Sequence, residues 1–302
     1  MEPKPISTIS PITSQLKDMV INSQLPCTRC GYDLKSLFAD GNCPECGEPI
    51  RLTIIDSVDP AARRLPPISN PIATGNALVG VSVFLFFSII FAVTVLLSNA
   101  SDSLPIPKFF RTVDGSVWIC VSSAMSFLAF ACLFPIIRTC HRGINHGCRL
   151  GIALTGFGLL SFAILMAASR WILLGGQDHG GVITILFDTM LPVISLGIVF
   201  SGLRRLVPRL GQRSREFRLA QGSRQRMNDL LAALGFVMIG RVGISISPDG
   251  SSIATFSMII MVLSMTLILV GLLYLIRNTM WIRSALCTPP PSLQQLLKTK
   301  EN

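Results

Sequence analysis

The sequence predicts an all-α polytopic membrane protein with six transmembrane helices, preceded by a small N-terminal module held together by a metal. Three observations predict it. Two cysteine pairs, Cys27-Thr28-Arg29-Cys30 and Cys43-Pro44-Glu45-Cys46, stand near the N-terminus. From about residue 77 the chain becomes a succession of long apolar segments. Only 14% of the 302 residues are charged and the mean hydropathy is +0.59, whereas soluble domains carry about 25% charged residues.

Residues 1–26 come first. They are rich in Ser, Thr, Pro and Gln and read as a disordered tail. They contain no apolar core segment followed by a small-residue cleavage site, so the N-terminal segment is expected to stay in the cytoplasm. In that reducing compartment, closely spaced cysteines read as metal ligands rather than disulfides.

Residues 27–50 hold the two cysteine pairs. Two residues between cysteines let both thiolates face one ion while turn N–H groups face the sulfurs. Gly31 and Gly47 follow the pairs, where tight turns often require positive φ. Two facing knuckles supply a tetrahedron of sulfurs, the geometry of a structural zinc site; iron is the chemically allowed alternative. Four thiolates fill every position, which argues against catalysis at this metal. They also leave a net charge that Arg29 and Lys35 are placed to offset. So short a module cannot bury enough apolar surface alone, so metal binding must supply folding energy. Tyr32, Leu34, Leu37 and Phe38 are expected to form its apolar cap.

The stretch 27–50, CTRCGYDLKSLFADGNCPECGEPI, resembles the N-terminal zinc ribbons of uncharacterised bacterial multi-pass membrane proteins. CxxCGYDL and CPECGE carry that likeness, which covers these residues only. The resemblance implies a small β module with Cys27, Cys30, Cys43 and Cys46 as zinc ligands. It also implies a role in binding proteins or nucleic acids, or as a structural cap.

Residues 51–76, with Pro66-Pro67 and Asn70-Pro71, read as a linker. The transmembrane domain, 77–276, has spans near 77–97, 117–137, 150–171, 182–203, 230–247 and 253–276, each long enough for about 30 Å of hydrocarbon. The fifth is the shortest and contains Arg241 and several glycines. Residues 277–302 form a tail. Of the 26 lysines and arginines, all but Lys108, Arg111, Arg170 and Arg241 fall on one side if both termini are inside. The resemblance implies a bacterial inner membrane, and that asymmetry predicts cytoplasmic termini. It also accounts for most of the +10 net charge without nucleic acid as a partner. Loop 204–229 is the most basic stretch and is expected to lie on anionic lipid headgroups. Trp118, Trp171 and Trp281 fall near span ends, as interfacial aromatics do.

Two polar constellations follow. Asp188 lies inside the fourth span and Arg241 inside the fifth, both about 9 Å below the outer boundary. An intramembrane Asp188–Arg241 pair is expected, with Arg170 as the other partner for Asp188 and Pro192 as a kink one turn on. Cys140, His141, His146 and Cys148 cluster between the second and third spans and form a possible second metal site, although their spacing matches no familiar ligand pattern. His179 and Asp178 lie in a Gly-rich outer loop. The small-residue pairs Ser122/Ser126 and Gly197/Ser201 have the spacing of helix–helix contacts.

No P-loop, H-E-x-x-H, G-x-S-x-G or G-x-G-x-x-G motif is present, and no catalytic residue is assigned. The leading reading is a membrane platform whose cytoplasmic zinc ribbon binds a protein partner through a face including Arg29, Lys35 and Asp40. The alternatives are a small-solute transporter using Asp188 and Arg241, and a membrane redox protein or enzyme.

Overall fold

In a computed structural model of the chain, the residues described are 19–59, 65, 68–99, 115–140, 146–174, 185–220, 227–248, 251–288, 291 and 293–299. In chain order the elements are β1 (Met19–Ile21), α1 (Ile50–Val58), α2 (Pro71–Asn99), α3 (Gly115–Ala131), α4 (Leu133–Cys140) and α5 (His146–Leu174). A π-helical turn (Leu186–Met190) leads into α6 (Leu191–Gly211), followed by α7 (Arg215–Leu219), α8 (Met227–Ile246), α9 (Ser252–Cys287), α10 (Leu293–Leu296) and β2 (Leu297–Thr299). They fall into two compact units, Met1–Leu65 with Thr288–Asn302, and Pro66–Cys287.

In the larger unit, six helical segments are long and apolar enough to cross a membrane: α2, α3 with α4, α5, α6, α8 and α9. They correspond to the six expected spans, mostly extended at their ends. The fifth, α8, has 20 residues, about 30 Å of helix, and so is long enough to cross the hydrocarbon. Each spanning segment packs against the one before and after it, and α9 returns to pack on α2, which closes a ring. Pro135 leaves the carbonyl of Ala131 without its usual donor, and the second span is interrupted between α3 and α4.

Small residues and hydroxyls set the helix contacts. Ser88 Oγ donates to the Ser122 carbonyl at 2.8 Å and Ser122 Oγ donates back to the Ser88 carbonyl at 2.8 Å. Ser126 Oγ reaches from α3 to the Leu159 carbonyl of α5 at 2.9 Å. The expected Ser122/Ser126 contact is therefore present. The Gly197/Ser201 pair is not the contact on α6, because a Cβ on Gly197 would meet nothing within 4 Å. The close approach uses Gly202 and Gly158 instead. A Cβ on Gly202 would sit 2.6 Å from the Gly151 carbonyl oxygen, and one on Gly158 would sit 2.8 Å from that of Ser195.

The basic stretch after the fourth span is partly helical. α6 continues to Gly211, burying Leu206, Val207 and Leu210 while Arg204, Arg205 and Arg209 face outward. That alternation has helical period, which is why the helix outlasts the span. Ser214 then caps α7 by accepting from the Phe217 N–H at 3.3 Å, and Phe217 is buried.

In the smaller unit, β1 and β2 pair antiparallel, with Met19 opposite Thr299 and Ile21 opposite Leu297. The segments read as a tail, a linker and a second tail therefore each contribute an ordered piece: β1, α1, and α10 with β2. Their apolar side chains explain it. Ile21, Leu25, Leu34, Ala39, Ile50, Ile54, Leu296 and Leu297 share one buried cluster. Because β1 precedes every span and β2 follows them all, their pairing requires an even number of crossings, as six provides.

Candidate metal centre

Each cysteine pair sits on a turn of the same construction. Gly31 N–H donates to the Cys27 carbonyl and Gly47 N–H to the Cys43 carbonyl, both at 2.9 Å. Cys27 N–H pairs with the Tyr32 carbonyl and Cys43 N–H with that of Glu48, both at 2.8 Å. Gly31 and Gly47 take φ of +80° and +73°, the left-handed conformation expected from the sequence.

The turns face one another. Cys27 Sγ lies 3.7 Å from Cys46 Sγ and Cys30 Sγ lies 3.6 Å from Cys43 Sγ, and all four sulfurs are within 4.8 Å of one another. A tetrahedral zinc with Zn–S bonds of about 2.3 Å needs sulfurs about 3.8 Å apart. The donor set therefore fits a four-thiolate ion, with Cys27 and Cys43 buried, Cys46 half-buried and Cys30 exposed.

The thiols are electrostatically unequal. N–H groups of Cys30 and Arg29 pointing at Cys27 bring its thiol down to about 6. At Cys30 the Tyr32 N–H pulls the same way, but burial and the other three sulfurs outweigh it and push the thiol up to about 12. At Cys46 the Glu48 N–H is likewise outweighed, and the thiol is raised. One sulfur ionises readily and its neighbours then resist, a conflict that a bound cation removes.

The surroundings depart from the expected cap. Leu34 is fully buried and Leu37 packs on the core, but Tyr32 and Phe38 are 40% and 46% exposed. Their place is taken by α1 and the chain ends. Thr53 of α1 is fully buried and its Oγ1 lies 3.3 Å from Thr28 Oγ1 and 3.4 Å from the Thr28 nitrogen, so α1 braces the first turn. The spacing Ile50, Thr53, Ile54, Val58 is helical and was the available sequence signal for this brace. A sheet-based ribbon is not shown among the described residues. Among them the cysteine segment carries the isolated bridges Val20–Phe38, Pro26–Asp33 and Asn42–Pro49, and the strand pair uses residues outside it. Short turns that point their N–H groups at sulfur leave few residues free to extend a ladder.

Arg29 reaches Glu48 at 3.3 Å and links the two turns across an exposed surface. Lys35 is exposed, and its N–H, like that of Leu25, donates to Asp33 Oδ1 at 3.1 Å.

The other expected sites lie elsewhere. Cys148 is buried in the core of the membrane unit, while the side chains of Cys140, His141 and His146 lie outside the described residues. Among the described residues, the only metal-sized cluster is Cys27, Cys30, Cys43 and Cys46. Asp188 falls in the π-helical turn, which packs against α8, the helix that carries half-buried Arg241. The Asp188 side chain lies outside the described residues, as do Asp178, His179 and the side chains of Arg170 and Trp171. Trp118 stacks on Phe91 at 5.4 Å, and the Arg277 guanidinium sits 4.7 Å from the Trp281 ring.

Fold and site together define a multi-pass membrane protein with a four-cysteine centre fit for a metal ion. No protein-family model, curated protein or solved structure matches the chain.

Proposed function

We propose that this is an inner-membrane platform whose cytoplasmic four-cysteine module holds one structural zinc and docks a protein partner. The observation that carries the zinc is the closed set of four facing sulfurs on paired glycine turns. Such a set offers no open coordination position for chemistry. Docking is supported by large apolar side chains left exposed on so small a module: Tyr32, Phe38, Leu52 and Ile55 are each 40–46% exposed. Arg29, Lys35 and Asp40 are exposed on the same module. The cytoplasmic placement rests on the lysine and arginine asymmetry. The outward arginines at the end of α6 suit anionic headgroups on that same side.

Elemental analysis of the purified full-length protein tests the metal. One zinc per chain is expected, lost in Cys27→Ser; stoichiometric iron or no metal overturns the assignment. Photo-crosslinking in cells then compares the intact protein with Tyr32→Ala/Phe38→Ala. The expected result is loss of at least one crosslinked protein. A variant that keeps every partner of the intact protein overturns the docking role.

A further inference from the structure

Between the helices of the ring lies a narrow, partly open apolar cleft with a cavity volume of about 50 Å³. Its walls come from five spans and the π-helical turn, and are apolar throughout except at one point. Ile89, Val93, Phe162, Leu196, Val237 and Ile268 represent the walls, and Thr189 is the exception.

Thr189 is 1% exposed, and its Oγ1 has no hydrogen-bond partner among the described residues. This sets it apart from other hydroxyls of the unit. Thr155, Ser169, Ser195, Ser264 and Thr279 each donate to a carbonyl three or four residues back in their own helix. That is the usual way a hydroxyl is satisfied in hydrocarbon. Thr189 lies in the π-helical turn, where Leu191 N–H bonds back to the Leu186 carbonyl over five residues. Such turns interrupt the regular ladder and recur at functional sites.

The cavity is polar at one end and apolar along its length. Leu196 lies seven residues beyond Thr189 on α6, about 10 Å along the axis, deeper in the bundle. An apolar void of this kind does not hold water, and left empty it forfeits dispersion contacts on every wall. The solvent around these helices is hydrocarbon. We propose that the cavity is a binding site for one acyl chain, whose carbonyl or carboxyl group accepts a hydrogen bond from Thr189 Oγ1 and whose tail runs past Val193 toward Leu196 and Ile268. The chain comes either from a free fatty acid or from a membrane phospholipid.

The test uses full-length protein in vesicles of phosphatidylethanolamine and phosphatidylglycerol. Two photoactivatable probes are compared: palmitic acid, and a phosphatidylglycerol, each with a diazirine in the acyl chain. Mass spectrometry maps the crosslinks. Labelling concentrated on α2, α6 and α8 residues of the cavity is expected, above that at outward-facing Phe157 and Phe236, which are 63% and 52% exposed. Labelling by the acid alone, displaced by unlabelled palmitate, identifies a fatty acid; labelling by the phospholipid identifies a bilayer lipid. Ala92→Phe, which fills the void from a half-buried wall position, abolishes cavity labelling and leaves the outer positions labelled. Thr189→Val keeps the shape and removes the hydroxyl. It lowers cavity labelling by the acid roughly three- to tenfold while a diazirine-bearing alkane labels as before. Cavity labelling no greater than at Phe157 and Phe236 overturns the site. Unchanged acid labelling in Thr189→Val overturns the hydrogen bond.

Discussion

The two units of this protein are assembled by opposite strategies. The membrane ring is built from neighbours, each helix resting on the one before and after it, fastened by buried serines and bare glycines. The four-cysteine module gathers residues from both ends of the chain, Met19–Ile21 and Leu297–Thr299, around a core too small to stand alone. The ring spreads its cohesion over many small contacts. The module concentrates it at one strand pair and, on the proposed function, one metal ion. A single change should therefore cripple the module and only loosen the ring.

Metal removal is the strongest way to break that contrast. Structural zinc sites contribute on the order of 10 kcal/mol at neutral pH. A chelator should unfold residues 19–59 to proteases while circular dichroism of the helices changes little. Acid should help the chelator. Cys30 and Cys46, with raised thiol pKa values, must release protons to bind, and Cys27, at about 6, becomes protonated below that pH. Zinc affinity should thus fall continuously as pH drops from 8 to 5. Affinity that is flat with pH would mean that thiols are not the ligands.

Leu297→Asp comes next. It puts a charge into a position that is 7% exposed and should cost the module about 3–5 kcal/mol. Hydrogen exchange at Met19–Ile21 should accelerate, with exchange in α5 and α6 unchanged. Gly202→Val should cost the ring about 2–3 kcal/mol by forcing α5 and α6 apart, seen as a lower melting temperature in detergent with zinc retained. Ser88→Ala should cost only about 1 kcal/mol, since bonds between helices in lipid are individually weak. If Gly202→Val released zinc, the two units would be coupled and the contrast would need revision.

The same contrast explains what the sequence could tell. Apolar runs and basic loops are local signals, so six spans are legible, with ends that differ where α6 and α9 continue past the expected spans. The cysteine site was legible because its ligands come as adjacent pairs with glycine after each. Its core was not. Ile21, Leu296 and Leu297 carry no periodicity in segments this short, and only tertiary contact shows that they belong together. The helical spacing Ile50, Thr53, Ile54, Val58 is readable, but the prolines of 51–76 point to a linker and outweigh it in the sequence. The unusual position of Thr189 follows from a π-helical turn, a local rearrangement that composition does not signal.

The strand pair also dictates an order of manufacture. A ribosome emits β1 first and β2 last, at about 5–20 residues per second, and all six spans are made in between. Until Leu296 and Leu297 emerge, the cysteine turns lack part of the floor on which they rest. The module is thus finished only after insertion is complete, so a stalled or truncated chain presents an unfinished module to proteases. On the proposed function, metal occupancy thus reports that the chain was translated through Leu297 with its spans already threaded.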